Sequence, residues 1–109
     1  MNPTVKLDRY AALALQISCD GVHEDADRTA SAPRMMASIA RIGRAIAGAK
    51  RWIGADLKLV VLPEYILTGP PWGETIPQWT DKGAIAPDGP EYEALAKLAQ
   101  LHGVYLAGN

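Results

Sequence analysis

Apolar and polar positions change their period along the chain, and each change marks an element. Tyr10 to Ser18 reads Tyr-Ala-Ala-Leu-Ala-Leu-Gln-Ile-Ser. This short apolar run, closed by the polar Asp20-Gly21, predicts a first buried strand. Residues 20–33 are polar, contain Gly21 and Pro33, and read as a loop. From Arg34 the apolar residues Met35, Ile39, Ile42, Ile46, Ala49 and Ile53 recur in steps of three and four, one stripe down a helix. Arg34, Arg41, Arg44, Lys50 and Arg51 take its other faces, most simply as a solvated surface. Ser31 is placed to cap this helix, Pro33 to lie in its first turn, and Gly54 to end it. Gly43 and Gly48 inside it each cost about 1 kcal/mol relative to alanine, so close packing against the sheet is their expected use.

Leu57 to Leu62 predicts the second strand, and Pro63-Glu64-Tyr65 follows at its end. Such nearly continuous apolar runs form strands buried on both faces of α/β proteins. Open α/β sheets place their ligands at the C-terminal edges of these strands, which is where Glu64 is delivered. Residues 63–90 hold Pro63, Pro70, Pro71, Pro77, Pro87 and Pro90 together with Trp72 and Trp79. They read as one long irregular segment, a kind that tends to be functional. Asp88-Gly89-Pro90-Glu91 opens a second helix with proline and acidic residues in its first turn. Its expected buried stripe is Tyr92, Leu95, Leu98 and Ala99, with Glu93 and Lys97 as an exposed pair. Gly103 stops it, and Val104 to Ala107 predicts a third strand. The order β-α-β-α-β implies parallel pairing with right-handed crossovers. Two helices leave part of a three-stranded sheet uncovered, so residues 1–109 read as one incomplete domain whose remainder lies on the C-terminal side.

Composition narrows the class without changing it. A hydrophobic fraction of 49% and a charged fraction of 21% describe an ordinary globular chain. The net charge of −1 gives no electrostatic case for nucleic acid or an anionic membrane. No apolar run approaches the roughly 20 residues that span a bilayer, and Met1 to Asp8 lacks the order of a secretory signal. The single cysteine, Cys19, excludes an internal disulfide and fits a reducing cytoplasm.

With these elements in place, a set of short motifs stands out. Ala14-Leu15-Gln16 ends the first strand, and Leu59-Val60-Val61-Leu62-Pro63-Glu64-Tyr65 is followed by Leu67-Thr68-Gly69. Asp88-Gly89-Pro90 opens the next helix, and Val104-Tyr105-Leu106-Ala107-Gly108-Asn109 closes the chain. From about Tyr10 onward, in order and spacing, the chain resembles the nitrilase, or carbon–nitrogen hydrolase, superfamily. The resemblance implies the N-terminal β-α-β-α-β part of a four-layer α-β-β-α sandwich. It further implies hydrolysis of a nitrile or amide by a Glu-Lys-Cys triad without a metal or organic cofactor, and a homo-oligomer or a complementing C-terminal segment as partner. Glu64 matches the general base, which takes the thiol proton and later helps water attack the thioester. The lysine of such a triad stabilises the developing oxyanion.

The lysine and cysteine of the family follow the glutamate on later strands, and here the chain departs. After Glu64 it has Lys82, in the irregular segment, and Lys97, on the outer side of the second helix, and no cysteine. Cys19 precedes Glu64 and does not match the nucleophile. Glu64 is thus the one triad member present, and the 109 residues alone are expected to be inactive. Tyr65 and Trp72 are candidate substrate contacts, with packing as the alternative for Tyr65 and loop anchoring as the alternative for Trp72 and Trp79. Without the resemblance, Glu64 reads as a strand-end carboxylate held by backbone N–H groups, and Cys19 as a small, partly buried residue. His23 and His102 read as solvated loop and helix-end residues with no metal spacing. A second functional class stays open: a non-catalytic α/β module that associates through its uncovered sheet face. No Gly-x-Gly-x-x-Gly or phosphate-loop pattern supports a nucleotide site.

Overall fold

The computed structural model describes residues 8–109. Its elements run β1 (Ala11–Ala14), α1 (Arg28–Ile53), β2 (Leu57–Val61), α2 (Ile76–Gly83), α3 (Pro90–His102) and β3 (Tyr105–Ala107). The strands form one parallel sheet in the order β1-β2-β3. The β-α-β alternation anticipated for the chain is therefore present, with shorter strands than Tyr10–Ser18 and Leu57–Leu62 and with one additional helix.

Stepping twice in the same direction with right-handed crossovers lays both connections on one face of the sheet. Register separates the two faces. Leu13, Val60 and Leu106 are neighbours across the strands, and Val60 is fully buried. With Leu57 and Leu62 they meet Met35, Ile39, Ile42 and Ile46 of α1 in the core. Ala12, Leu59 and Tyr105, and then Ala14, Val61 and Ala107, line the opposite face. No element of the described residues covers this second face: Tyr105 is 80% and Val61 41% exposed. The pairing slips by one residue between Ala11, opposite Leu57, and Ala12, opposite Leu59, leaving Lys58 as a bulge.

Helix α1 starts earlier than its apolar stripe suggests. Asp27, not Ser31, is the cap, accepting the Ala30 N–H at 3.1 Å. Ser31 is instead buried inside the helix, its hydroxyl donating to the Lys82 carbonyl at 2.7 Å. Pro33 consequently lies in the second turn, exposed. The stripe itself is buried from Met35 to Ile46, whereas Ile53 is 43% exposed. Gly54 ends the helix with φ 93°. A β-carbon on Gly43 would lie 2.7 Å from Leu98 Cδ2, so Gly43 admits α3 rather than the sheet, and Gly48 meets nothing within 4 Å.

The segment 63–90 is not irregular throughout. Thr75 and Gln78 form a reciprocal capping box, each side chain bonding the other's backbone N–H, and α2 follows with Pro77 in its first turn. In α3, Gly103 closes the helix at φ 60°. Tyr92 is 49% exposed rather than part of a buried stripe. The buried first-turn residue is Glu91, whose carboxylate lies 3.7 Å from Arg28. Arg28 also bonds Asp81 through its backbone N–H at 3.0 Å and the Ala84 carbonyl through its guanidinium. The start of α1 thereby ties down the end of α2 and the start of α3. Glu93 and Lys97 form the expected exposed i,i+4 pair, 3.3 Å apart. Among the described residues no helix is long and apolar enough to cross a membrane.

Candidate functional site

The residues that follow the three strands meet at the C-terminal edge of the sheet: the loops after β1 and β2, and Gly108-Asn109 after β3. The loop after β2 carries Glu64, which is exposed and makes no hydrogen bond or ion pair through its side chain among the described residues. Among the described residues no backbone N–H donates to its carboxylate.

The residue after Glu64 is unusual. Tyr65 has φ 58°, a left-handed conformation that L-residues with large side chains rarely adopt. Its backbone is fixed from several directions. The Tyr65 N–H donates to the Asn109 carbonyl at 3.3 Å. Its carbonyl accepts N–H groups from Thr68 at 3.2 Å and Gly69 at 2.8 Å, and the Cys19 thiol at 3.1 Å. Asn109 follows β3 and Cys19 follows β1, so both flanking strands hold the turn of the central one. Gly69, at φ 67°, approaches the other loop so closely that a β-carbon there would lie 3.1 Å from Gly21 Cα. The Val22 N–H completes the seam by donating to the Thr68 carbonyl at 2.9 Å.

Cys19 is exposed, not partly buried, and it lies against the Glu64 turn through the Tyr65 backbone. Tyr65 is 44% exposed. Trp72 is 74% exposed and stacks on His23, ring centroids 5.3 Å apart and planes inclined by 27°. His23 is thus an aromatic partner as well as a loop residue, with Glu24 3.8 Å away. Trp79 does anchor its segment: it packs on the core and against Gly83. His102 lies in the last turn of α3. No group of three or more metal-ligating side chains occurs among the described residues.

Lys82 departs most from expectation. It lies on α2 rather than in a loop and is buried, its ammonium donating to the His23 carbonyl at 2.9 Å and to Glu74 at 3.5 Å. Glu74 also accepts the Trp72 N–H at 2.6 Å. That bond and the glutamate's own backbone N–H, helped by Lys82, hold its carboxyl below the usual value. Lys82 therefore secures the Trp72 strap to the loop after β1. Lys97 stays on the outer side of α3, and neither lysine bonds Glu64.

A second clamp organises the loop after β1. Arg34 grips Asp25 through Nε and Nη2 at 2.8 and 3.0 Å, and both oxygens of Asp20 through Nη1 at 3.1 and 3.2 Å. Its guanidinium holds the Asp25 carboxyl below the usual range, and the two aspartates raise the arginine's own value. Arg34 is not part of a freely solvated face, and neither is half-buried Arg41, which lines a shallow groove with Gln16, Ile17, Ser18 and Pro63. On the helical side, a solvent-open cavity of about 270 Å³ lies between α3, the end of β3 and the Glu64 turn. Nothing in the apolar pattern marks this cavity, because Leu62, Ile66 and Leu106 read there simply as core.

Comparison with known proteins finds no matching family model, no matching curated protein and no matching solved structure.

Proposed function

We propose that this chain supplies the general-base glutamate of a nitrilase-type carbon–nitrogen hydrolase, with Glu64 as that base and the lysine and cysteine contributed by another segment or chain. The observation that carries the reading is the placement of Glu64. Among the described residues it has no side-chain partner, and it stands at the C-terminal edge of the central parallel strand, in a turn held by the residues that follow both neighbouring strands. An unpaired carboxylate on a fixed backbone is free to accept a thiol proton and return it to a leaving amine. The motif order described above supports the assignment. In the four-layer sandwich that the resemblance implies, a second sheet lies on the face lined by Ala14, Val61 and Ala107.

Ammonia release from a panel of nitriles and primary amides tests this. The 109 residues alone give no turnover. The longer polypeptide or complex that supplies lysine and cysteine is active, and Glu64→Gln lowers its kcat by about 10²–10⁴-fold. Hydrolysis that survives Glu64→Gln removes Glu64 from the chemistry.

The open sheet face favours a second reading, a module that works by association. Ala12, Ala14, Val61, Tyr105 and Ala107 form a contiguous exposed apolar surface of the kind that marks partner sites. Sedimentation of the wild type and of Ala107→Lys tests it: a self-associating wild type and a monomeric variant support it, and two equally monomeric proteins remove it.

A further inference from the structure

We infer that the cavity behind the Glu64 turn is a binding pocket for an uncharged aromatic ring or short alkyl group; resting on the hydrolase reading, it would hold the organic substituent of the nitrile or amide. Its walls are Leu62 and Ile66 from the turn, Leu95 and Ala99 from α3, and Leu106 and Asn109 from the end of β3, among others. Leu62 and Ile66 bracket Pro63-Glu64-Tyr65, so the proposed base rides on the turn that forms one wall. Asn109 forms part of another wall, and its carbonyl accepts the Tyr65 N–H at 3.3 Å, joining cavity and turn directly.

The chemistry of the lining selects the ligand. It includes no charged side chain, and Tyr92 and Asn109 are its polar residues. A charged group entering would lose its hydration with no partner to replace it, whereas an apolar group loses only unfavourable contact with water. Size sets the upper limit. A closed apolar cavity of about 150 Å³ takes a benzene ring; at about 270 Å³ with one side open to solvent, this one has room for a ring whose substituent reaches the mouth. The position, outside the carboxyl ends of parallel strands and lined mostly by apolar groups, is where α/β sheets place small ligands.

Benzonitrile and benzamide, with succinamate as the charged comparison, are the probes. Binding to the 109-residue chain is read from backbone amide shifts of Leu106, Ala107 and Gly108, which needs no turnover. Saturable shifts with the aromatic probes, absent with succinamate, are expected. Ala99→Phe fills the cavity from within, and Ala96→Phe fills it from an exposed position that does not burden the core. Each is expected to weaken benzonitrile binding at least tenfold. Benzonitrile and benzamide that both bind while no nitrile or amide of the panel releases ammonia support the pocket and remove the hydrolase reading. Hydrolysis of charged aliphatic amides with no benzonitrile binding removes the pocket and keeps the hydrolase. Shifts that survive both fillings, or equal binding of succinamate, overturn the inference.

Discussion

The Cys19 thiol donates to the Tyr65 carbonyl at 3.1 Å across a sequence separation of 46 residues, and so braces the residue next to Glu64 in a left-handed conformation. Holding a bulky residue there costs on the order of 1 kcal/mol, which glycine avoids. Tyr65→Gly is expected to raise stability by up to about 1 kcal/mol, while Tyr65→Val, with its branched β-carbon, lowers it by more than 1 kcal/mol. Thermal unfolding ranks the two. Equal losses from both would show that the tyrosine ring, and not the backbone, dominates this position. Cys19→Ala removes one weak donor and is expected to cost under about 1 kcal/mol.

The Arg34–Asp25 clamp makes stability depend on acid. Asp25 is held below its usual value of 3.8 by the guanidinium, so the folded state binds this proton less tightly than the unfolded chain. The stabilisation is complete above that ordinary value and disappears as pH falls through the lowered one. Urea unfolding of the wild type and of Asp25→Asn, compared from pH 7 to pH 2, should show a gap that closes on the acid side. A gap constant across that range would mean that the clamp stabilises by shape alone.

Lys82 and Glu74 behave as one unit. Lys82→Met leaves Glu74 beside Trp72 without its cation, and unfolding temperature falls. Adding Glu74→Gln removes the stranded charge and recovers part of the loss. A double variant worse than the sum of its parts would exclude this coupling. Because the glutamate is also held below its usual 4.5, the Lys82→Met deficit shrinks in acid, with the same sign as for Asp25.

The glycines of α1 separate propensity from packing. Gly48→Ala meets open space and is expected to stabilise by about 1 kcal/mol. Gly43→Ala drives a methyl against the end of Leu98 and gains less, while Gly43→Leu destabilises by about 1–3 kcal/mol. Chemical denaturation of the three variants gives the order, and a stabilising Gly43→Leu would show that α1 and α3 are loosely docked.

Elements with a long period were legible in the residues, and contacts between distant loops were not. Met35 to Ile46 declare α1 because one face meets the core every third or fourth residue. Its start is hidden because Asp27 and Ser31 are both good caps, and a proline at 33 suits a first turn better than the second turn it occupies. The capping box Thr75-Ile76-Pro77-Gln78 was present as a signal, yet prolines on either side gave the segment the look of a loop. Glu64 could be placed at a strand end from the run Leu57 to Leu62 alone. That Cys19, Gly21 and Asn109 gather round its turn could not, because those contacts follow from strand order and loop closure rather than from local pattern. The burial of Lys82 was equally hidden, since its partners are the His23 carbonyl and a glutamate eight residues away.

The bulge at Lys58 has a bearing on how this chain tolerates changes of length. Removing one residue from a regular strand turns every later side chain to the wrong face. Here Ala11 already pairs with Leu57 and Ala12 with Leu59, so Lys58 is surplus to the ladder. Deleting it would join two stretches that are each in frame, leaving Val60 and Leu62 on the helices and Glu64 at the edge. The central strand thus contains a built-in place for a one-residue deletion, next to a ladder in which every other residue from Leu57 to Val61 has its own partner.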